Sequence, residues 1–463
     1  MEIFLDRFYY TPDVDRMQIS LAAEAREGVD IQIKVEQTPG APAVAAQEEI
    51  PLVTGQDSYD ISFDMTDWAL GRYLVSAHLR DSEQKRLRST HRIFIRRELE
   101  PAPSSPSALN ATVRSDGILL LEGEPFCPFM AEGWTPVSPL GKDGFNFTTY
   151  GDLAALSIAD PLDHPRLNLP WVTRVEEETF ILMPEKEKMW QDLREEVLER
   201  KTDPALFSRL IKYEAHIPMY RGTAEERTAI DNVAQCREIN QFLKELDPDH
   251  LTSIHVDRPQ YLPEYKDVAD IIEVACWSSS YAPSLIPNLC RDLQEIRNVI
   301  GPGKPFIFWI GNTIPNPESR TAEEIRAACY LTLMYGSAGI WFNMGHGGLD
   351  PSFTRHWSVY PGLYRELMEV FAILTTLQSE PAPEIAVDAP EINYRVRQRD
   401  GRLYAIAVNS SDRMIQATLS AADRFLLAND ITLPLENRTI EPREGRFTDA
   451  FTAFEAHVYE WAP

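Results

Sequence analysis

Cysteine is scarce in this chain: five residues in 463, Cys127, Cys236, Cys276, Cys290 and Cys329, with no CxxC pair and no metal-like spacing. That excludes a disulfide-stapled scaffold and a cysteine-based zinc site. Cys127 and Cys276, set inside apolar runs, read as buried thiols. Long apolar stretches are missing too. No window approaches the ~20 apolar residues of a membrane span, and the start, Met1-Glu-Ile-Phe-Leu-Asp6, has neither the basic region nor the apolar core of a leader. The expectation is a soluble chain, secreted, periplasmic or at the cell surface if a leader was removed before Met1, and otherwise cytoplasmic. Positive charge is also in short supply, since 45 Lys and Arg against 71 Asp and Glu leave a formal net charge of −26. Phosphate backbones and anionic membranes are repelled over a Debye length of about 8–10 Å. Nucleic acid is therefore not an expected partner, whereas a neutral carbohydrate is compatible with the charge. No Gly-x-Ser-x-Gly elbow, His-Glu-x-x-His helix, P-loop or EF-hand spacing occurs, and no metal or organic cofactor is expected.

What is present is organisation. The length suggests about two to four domains. Residues 1–99 alternate apolar and polar positions, as in Met17–Leu21, Ile31–Val35 and Tyr73–Leu79, with turn residues at Glu27-Gly28 and Pro39-Gly40. A period of two at this spacing predicts an antiparallel sandwich of immunoglobulin-like type. A linker over 100–108 follows, built around Glu100-Pro-Ala-Pro-Ser-Ser-Pro106. From 109 to 380, after a hairpin turning at Glu122-Gly123-Glu124, strand-like runs alternate with helical ones. The runs are Phe129–Trp134, Phe145–Tyr150, Trp171–Val175, Leu210–Pro218, Thr252–Val256, Ile271–Trp277, Pro305–Ile310 and Tyr335–Phe342. That pattern predicts a parallel (β/α)8 TIM barrel. A doubly wound open sheet is the alternative, but no glycine-rich phosphate loop follows any strand. Residues 381–463 lose the helical period and predict a C-terminal antiparallel β-sandwich, with a hairpin turn at Asp400-Gly401.

Within the barrel, Leu-Ile-Lys-Tyr-Glu-Ala-His-Ile-Pro (210–218) brings one carboxylate, Glu214, to where an apolar run must stop. Barrel enzymes set their catalytic groups at strand ends. The ordering of domains resembles multidomain bacterial glycoside hydrolases with a clan A-like TIM barrel. The segment Asp203-Pro-Ala-Leu-Phe-Ser-Arg-Leu-Ile-Lys-Tyr-Glu-Ala215 is similar to the stretch that in those enzymes runs into an Asp-Glu-Pro at the end of the fourth strand. Leu246-Asp-Pro-Asp-His-Leu251, Gly303-Lys-Pro-Phe306, Tyr330–Phe342 and the late Phe447–Phe451 to Val458-Tyr459 also match in order and spacing. The resemblance implies that Glu214 is the acid of the fourth strand. The chain departs from the pattern in having Tyr213 and Ala215 on either side of it. It departs further at the seventh strand, where retaining relatives carry a second glutamate and Pro305-Phe-Ile-Phe-Trp-Ile-Gly-Asn312 has no acid.

Glycosidic cleavage needs a proton donor and a second carboxylate. Candidates for the second are Asp257, which is preferred because strands four and five are neighbours, and Glu132, Glu176 and Asp350. Sugar faces favour aromatic platforms with polar groups at their edges. Trp134, Tyr150, Trp277 and Trp341 lie near predicted strand ends, with His216, Asn312, Asn343 and His346 as hydrogen-bonding partners; Trp309, mid-strand, reads as core. The expected activity is hydrolysis of O-glycosidic bonds in a poly- or oligosaccharide, retaining or inverting, with self-association through the flanking β-domains as a further expectation. Two other readings are a glycan-binding protein on a degenerate hydrolase barrel and a cell-surface assembly subunit.

Overall fold

In the computed structural model the described residues are 2–5, 9–10, 14–22, 29–38, 43–53, 56, 58–81, 86–96, 110–132, 147–149, 171–174, 186–201, 206–212, 215, 232–276, 285–311, 321–343, 360–378, 381–423 and 427–462. They fall in two compact units, one of residues 1–102, 321–330 and 351–463, the other of residues 103–320 and 331–350.

The first strands are β1 (Glu2–Leu5), β2 (Tyr9–Tyr10), β3 (Arg16–Ala22), β4 (Val29–Thr38), β5 (Ala43–Pro51), β6 (Ser58–Asp64), β7 (Gly71–Asp81) and β8 (Arg86–Arg96). They form two sheets, β1-β3-β6 and β2-β8-β7-β4-β5. Alternation does the sorting. Met17, Ile19 and Leu21 of β3, Ile31, Ile33 and Val35 of β4 and Tyr59, Ile61 and Phe63 of β6 all enter one core, while the residues between them stay outside. At the start of β7, Tyr73 donates its hydroxyl to the Ala69 carbonyl at 2.7 Å and stacks on Trp68. This is the corner by which a tyrosine pins the chain entering a sandwich strand.

The second unit opens with a hairpin of β9 (Ala111–Val113), β10 (Leu119–Leu121) and β11 (Glu124–Pro125), turned by Glu122 (φ 52°) and Gly123 (φ 83°). Then come β12 (Phe129–Glu132), β13 (Phe147–Thr149), β14 (Trp171–Arg174), β15 (Leu206–Leu210), β16 (Leu251–Val256), β17 (Ile271–Ala275), β18 (Phe306–Gly311) and β19 (Gly339–Asn343). These eight pair in parallel in chain order, and β12 pairs with β19, so the sheet closes on itself. Helices α1 (Lys186–Arg200), α2 (Asn232–Leu246), the short α3 (Leu262–Tyr265), α4 (Leu285–Ile300) and α5 (Ala322–Met334) lie between strands from β14 onward, and α6 (Tyr360–Leu374) follows β19. The connections after β12 and β13 lie outside the described residues.

One strand lies earlier than its sequence suggests. The fourth barrel strand is Leu206–Leu210, upstream of the apolar run at 210–218. Ser208 and Arg209 disguise it, because both are buried. Arg209 is admitted by Asp247, which accepts from its Nε at 3.0 Å and its Nη2 at 2.7 Å.

The last strands are β20 (Ile385–Val387), β21 (Ile392–Arg399), β22 (Arg402–Asn409), β23 (Ile415–Ala421), β24 (Ile431–Leu433), β25 (Arg438–Ile440), β26 (Arg446–Phe451) and β27 (Ala456–Trp461). They make two antiparallel sheets, β20-β23-β26 and β21-β22-β27-β24-β25, around a single apolar core. The β21–β22 turn is Asp400-Gly401, both at positive φ, as a tight right-twisting hairpin requires. Among the described residues no helix is long and apolar enough to cross a membrane.

Candidate functional site

The barrel interior can be located from ring contacts alone. His255 of β16 meets Trp309 of β18 with centroids 5.6 Å apart and Trp341 of β19 at 5.4 Å, and the two indoles lie 5.9 Å from each other. Strand β17 separates β16 from β18, and β18 separates β17 from β19, so these contacts run through the middle of the barrel. Side chains alternate along a strand. Ser253 and Asp257 therefore share the inner face with His255, while Thr252, on the other face, donates to Asn240 of α2 at 2.8 Å. The register pairs His255 with Glu273 and Ala275 with Trp309, which puts Glu273 on the inner face of β17. Ser253, His255, Asp257 and Glu273 are all buried.

Lys212 and Ala215 are fixed to this strand by their main chain. The His255 N–H donates to the Lys212 carbonyl at 3.0 Å, and the His255 carbonyl accepts from the Ala215 N–H at 2.9 Å. Ala215 is held a second time, its carbonyl accepting from the Tyr265 hydroxyl at 3.0 Å. Lys212 and Ala215 are thus both tied near the C-terminal end of β16. Below, the outer face of β15 is anchored by Arg209, whose partner Asp247 also accepts from His250 Nδ1 at 2.8 Å. Burial works against the Asp247 charge, but the hydrogen bonds from His250 and Arg209 outweigh it and hold the carboxyl below its ordinary value of 3.8.

The expected site residues divide as follows. Asp257, the first residue after β16, has no exposed surface. Trp341 sits in the middle of β19, fully enclosed with Trp309 and His255; it walls the interior, a correction to its expected place as an open platform at a strand end. Glu132 ends β12 and is paired in register with Asn343, and the side chains of both lie outside the described residues. Glu214, Trp134, Tyr150, His216, Trp277, Asn312, His346, Glu176 and Asp350 lie outside the described residues as well.

His255, Glu273 and Ser253 escaped the sequence reading, although a signal was available. In Thr252-Ser-Ile-His-Val-Asp257 the polar residues Ser253, His255 and Asp257 recur at a period of two, which in a strand buried on both faces marks a polar interior rather than a wet surface. Two interior atoms, Ser253 Oγ and Trp309 Nε1, have no hydrogen-bond partner among the described residues, and buried polar atoms are ordinarily satisfied by protein, water or ligand. Thiol chemistry is disfavoured, since burial pushes Cys127 and Cys276 well up and Cys290 up to about 12. Among the described residues no three His, Cys, Asp or Glu side chains group as a metal would need.

No protein-family model matches the chain, and no curated protein matches it. Several solved structures overlap it distantly. Beta-glucuronidase 2 of Bacteroides uniformis is 11% identical with a TM-score of 0.39, the match covering 99% of this chain and 59% of that one. A putative beta-galactosidase of Bacteroides fragilis is 11% identical at 0.39, covering 99% and 73%. An Anoxybacillus alpha-amylase is 11% identical at 0.46, covering 70% and 88%. The chain thus spans about three fifths of the length of the first of these, and likeness at this level carries no statement about the reaction.

Proposed function

We propose that this chain is a glycoside hydrolase of full (β/α)8 architecture, flanked by an immunoglobulin-like sandwich over 1–99 and a β-sandwich over 381–463. It cleaves O-glycosidic bonds of a poly- or oligosaccharide by carboxylate catalysis. The observation that carries this reading is the placement of two buried acids, Asp257 and Glu273, on the inner barrel face that also carries His255 and the indoles of Trp309 and Trp341. Lys212 and Ala215, which precede and follow Tyr213-Glu214 in the sequence, are hydrogen-bonded to the same strand. Glu214 is the proton donor to the leaving oxygen. Asp257, at the strand end, either attacks the anomeric carbon or takes a proton from water. A carboxyl separation of about 5–5.5 Å corresponds to retention and about 6.5–9.5 Å to inversion. Glu132 remains the alternative second acid.

The test is a panel of glycans scored for released sugar and for thermal stabilisation of the protein. Turnover by the parent chain, a loss of about 100-fold or more in Glu214→Gln, and a comparable loss in Asp257→Asn are the expected results. Undiminished turnover in Glu214→Gln defeats the assignment. A second reading, a glycan-binding protein, is favoured by the inner face of β18, where Ile307, Trp309 and Gly311 offer no acid. Stabilisation by a glycan without product supports that reading instead.

A further inference from the structure

We propose that the indole N–H of Trp309 is a binding donor, held unpaired in the free protein for a hydroxyl oxygen of a neutral saccharide. This deepens the hydrolase reading above and rests on it for the place of the sugar. Trp309 stands on the inner face of β18, level with Ala275 of β17 and Trp341 of β19. Its ring reaches into the barrel: the centroid lies 5.6 Å from that of His255 on β16 and 5.9 Å from that of Trp341. Its Nε1 is buried and has no hydrogen-bond partner among the described residues.

An indole N–H can only donate, and a buried donor without an acceptor is costly. Such atoms are met by protein, water or ligand. No described residue meets this one. The ring is not sealed off either, since Trp309 keeps 7% of its surface exposed whereas Trp341 and His255 keep none. Its neighbours on the inner face are small. Ala275 beside it ends in a methyl group, and Gly311, next on the same face of β18, has no side chain. Neither side chain offers an atom that accepts from the indole. Ser253 Oγ, on the inner face of β16, is a second buried polar atom without a partner among the described residues, and a hydroxyl both donates and accepts. An aromatic face with a donor at its edge suits the flat C–H face and the hydroxyls of a sugar ring. A donor without charge, in a chain of net charge −26, suits a neutral acceptor better than an anion.

The test uses the full chain with isotope-labelled tryptophan, followed by proton–nitrogen NMR. The Trp309 indole signal is the one that disappears in Trp309→Phe. It also disappears when benzothienylalanine, a bicyclic isostere with sulfur in place of the N–H, replaces Trp309. Cellobiose, lactose and maltose are the neutral probes. The expected result is a downfield move of the Trp309 signal with at least one of them, the mark of a newly made hydrogen bond. Affinity for that disaccharide falls about 3- to 10-fold in the isostere; where the disaccharide is turned over, KM rises by that factor and kcat is unchanged. Without sugar the isostere unfolds at the parent's temperature or above, because it has lost only a donor that lacked an acceptor. A signal that stays put with all three disaccharides overturns the proposal. So does an isostere that unfolds at a clearly lower temperature, since the N–H then has an acceptor in the free protein already. Turnover of a disaccharide with no move of the signal removes this donor and leaves the hydrolase reading standing. A move without turnover keeps the donor and sinks the hydrolase reading in favour of the glycan-binding one. If Trp309→Phe fails to fold, the isostere identifies the signal and decides alone.

Discussion

Arg209 shows how a single charged residue fixes a barrel strand. It lies in β15 and is almost fully buried, as is Asp247, and His250 completes the group. Two buried ions cost a great deal to desolvate, and only good geometry with further hydrogen bonds offsets it. Here Arg209 also donates to the Val197 carbonyl at 3.3 Å, joining strand to both neighbouring helices. Removing one partner leaves the other charge uncompensated, so Arg209→Met lowers stability by about 3–5 kcal/mol, measurable by urea unfolding. The pH dependence has a definite sign. A carboxylate depressed on folding contributes stability that is present above its ordinary value of 3.8 and lost as pH falls through its lower folded value. Asp247→Asn is therefore less stable than the parent near neutrality but loses less on acidification below about pH 4.

At the scale of elements, closure of the barrel depends on the bare backbone of Gly339. A Cβ there would lie 2.7 Å from the Pro128 carbonyl oxygen and 2.9 Å from Pro128 Cδ, and that same oxygen accepts from the Ile340 N–H at 2.8 Å. The seam between β12 and β19 thus needs a residue without a side chain at its first position. Gly339→Ala costs about 2–4 kcal/mol by forcing the strands apart. Gly123→Ala is the control, since its Cβ meets nothing within 4 Å and the loss is only the left-handed penalty of about 1–2 kcal/mol. Thermal unfolding of the pair separates steric closure from backbone conformation.

Much of the element pattern is legible in the sequence for a simple reason. Half-buried strands such as β3 and β6 write their two faces as a period of two, and turn residues such as Asp400-Gly401 declare their φ. Strand β15 is not legible because its arginine is neutralised by an aspartate 38 residues away, a pairing no local window contains. The inner face of β16 is only half legible for a related reason: Ser253, His255 and Asp257 recur at a period of two, but that period marks an interior only once the strand is known to be buried on both faces. Asp257 was legible as a strand-end acid, whereas Glu273 was not, because a glutamate mid-strand has no meaning until its register with His255 is known.

Across the whole molecule, distant parts of the chain are gathered by one buried arginine. Arg326 donates from Nε to Glu366 at 2.9 Å and from Nη1 to the Ala456 carbonyl at 2.9 Å. Its Nη2 and the Tyr330 hydroxyl both reach the same Glu366 oxygen. Contacts separated by 40 and 130 residues thereby meet inside the unit that holds 321–330, α6 and the C-terminal sandwich. The two ions are not equivalent. Burial, reinforced by Glu369 and Glu436, pushes the Glu366 carboxyl well up, so without Arg326 it can take a proton and become neutral. Arginine has no such escape. Glu366→Leu therefore costs more than Arg326→Leu, against the 3–5 kcal/mol common for breaking a buried pair. The sign with pH follows. In Arg326→Leu the raised folded value means that stability is present at low pH and lost as pH rises, so this variant is more stable near pH 5 than near pH 8. Glu366→Leu shows no such gain on acidification. The double variant, Arg326→Leu with Glu366→Leu, loses less than the sum of the two single losses, because no charge is left stranded. Chemical denaturation of the four proteins at both pH values measures each quantity, and equal losses for the two single variants would show that the carboxyl stays charged without its arginine.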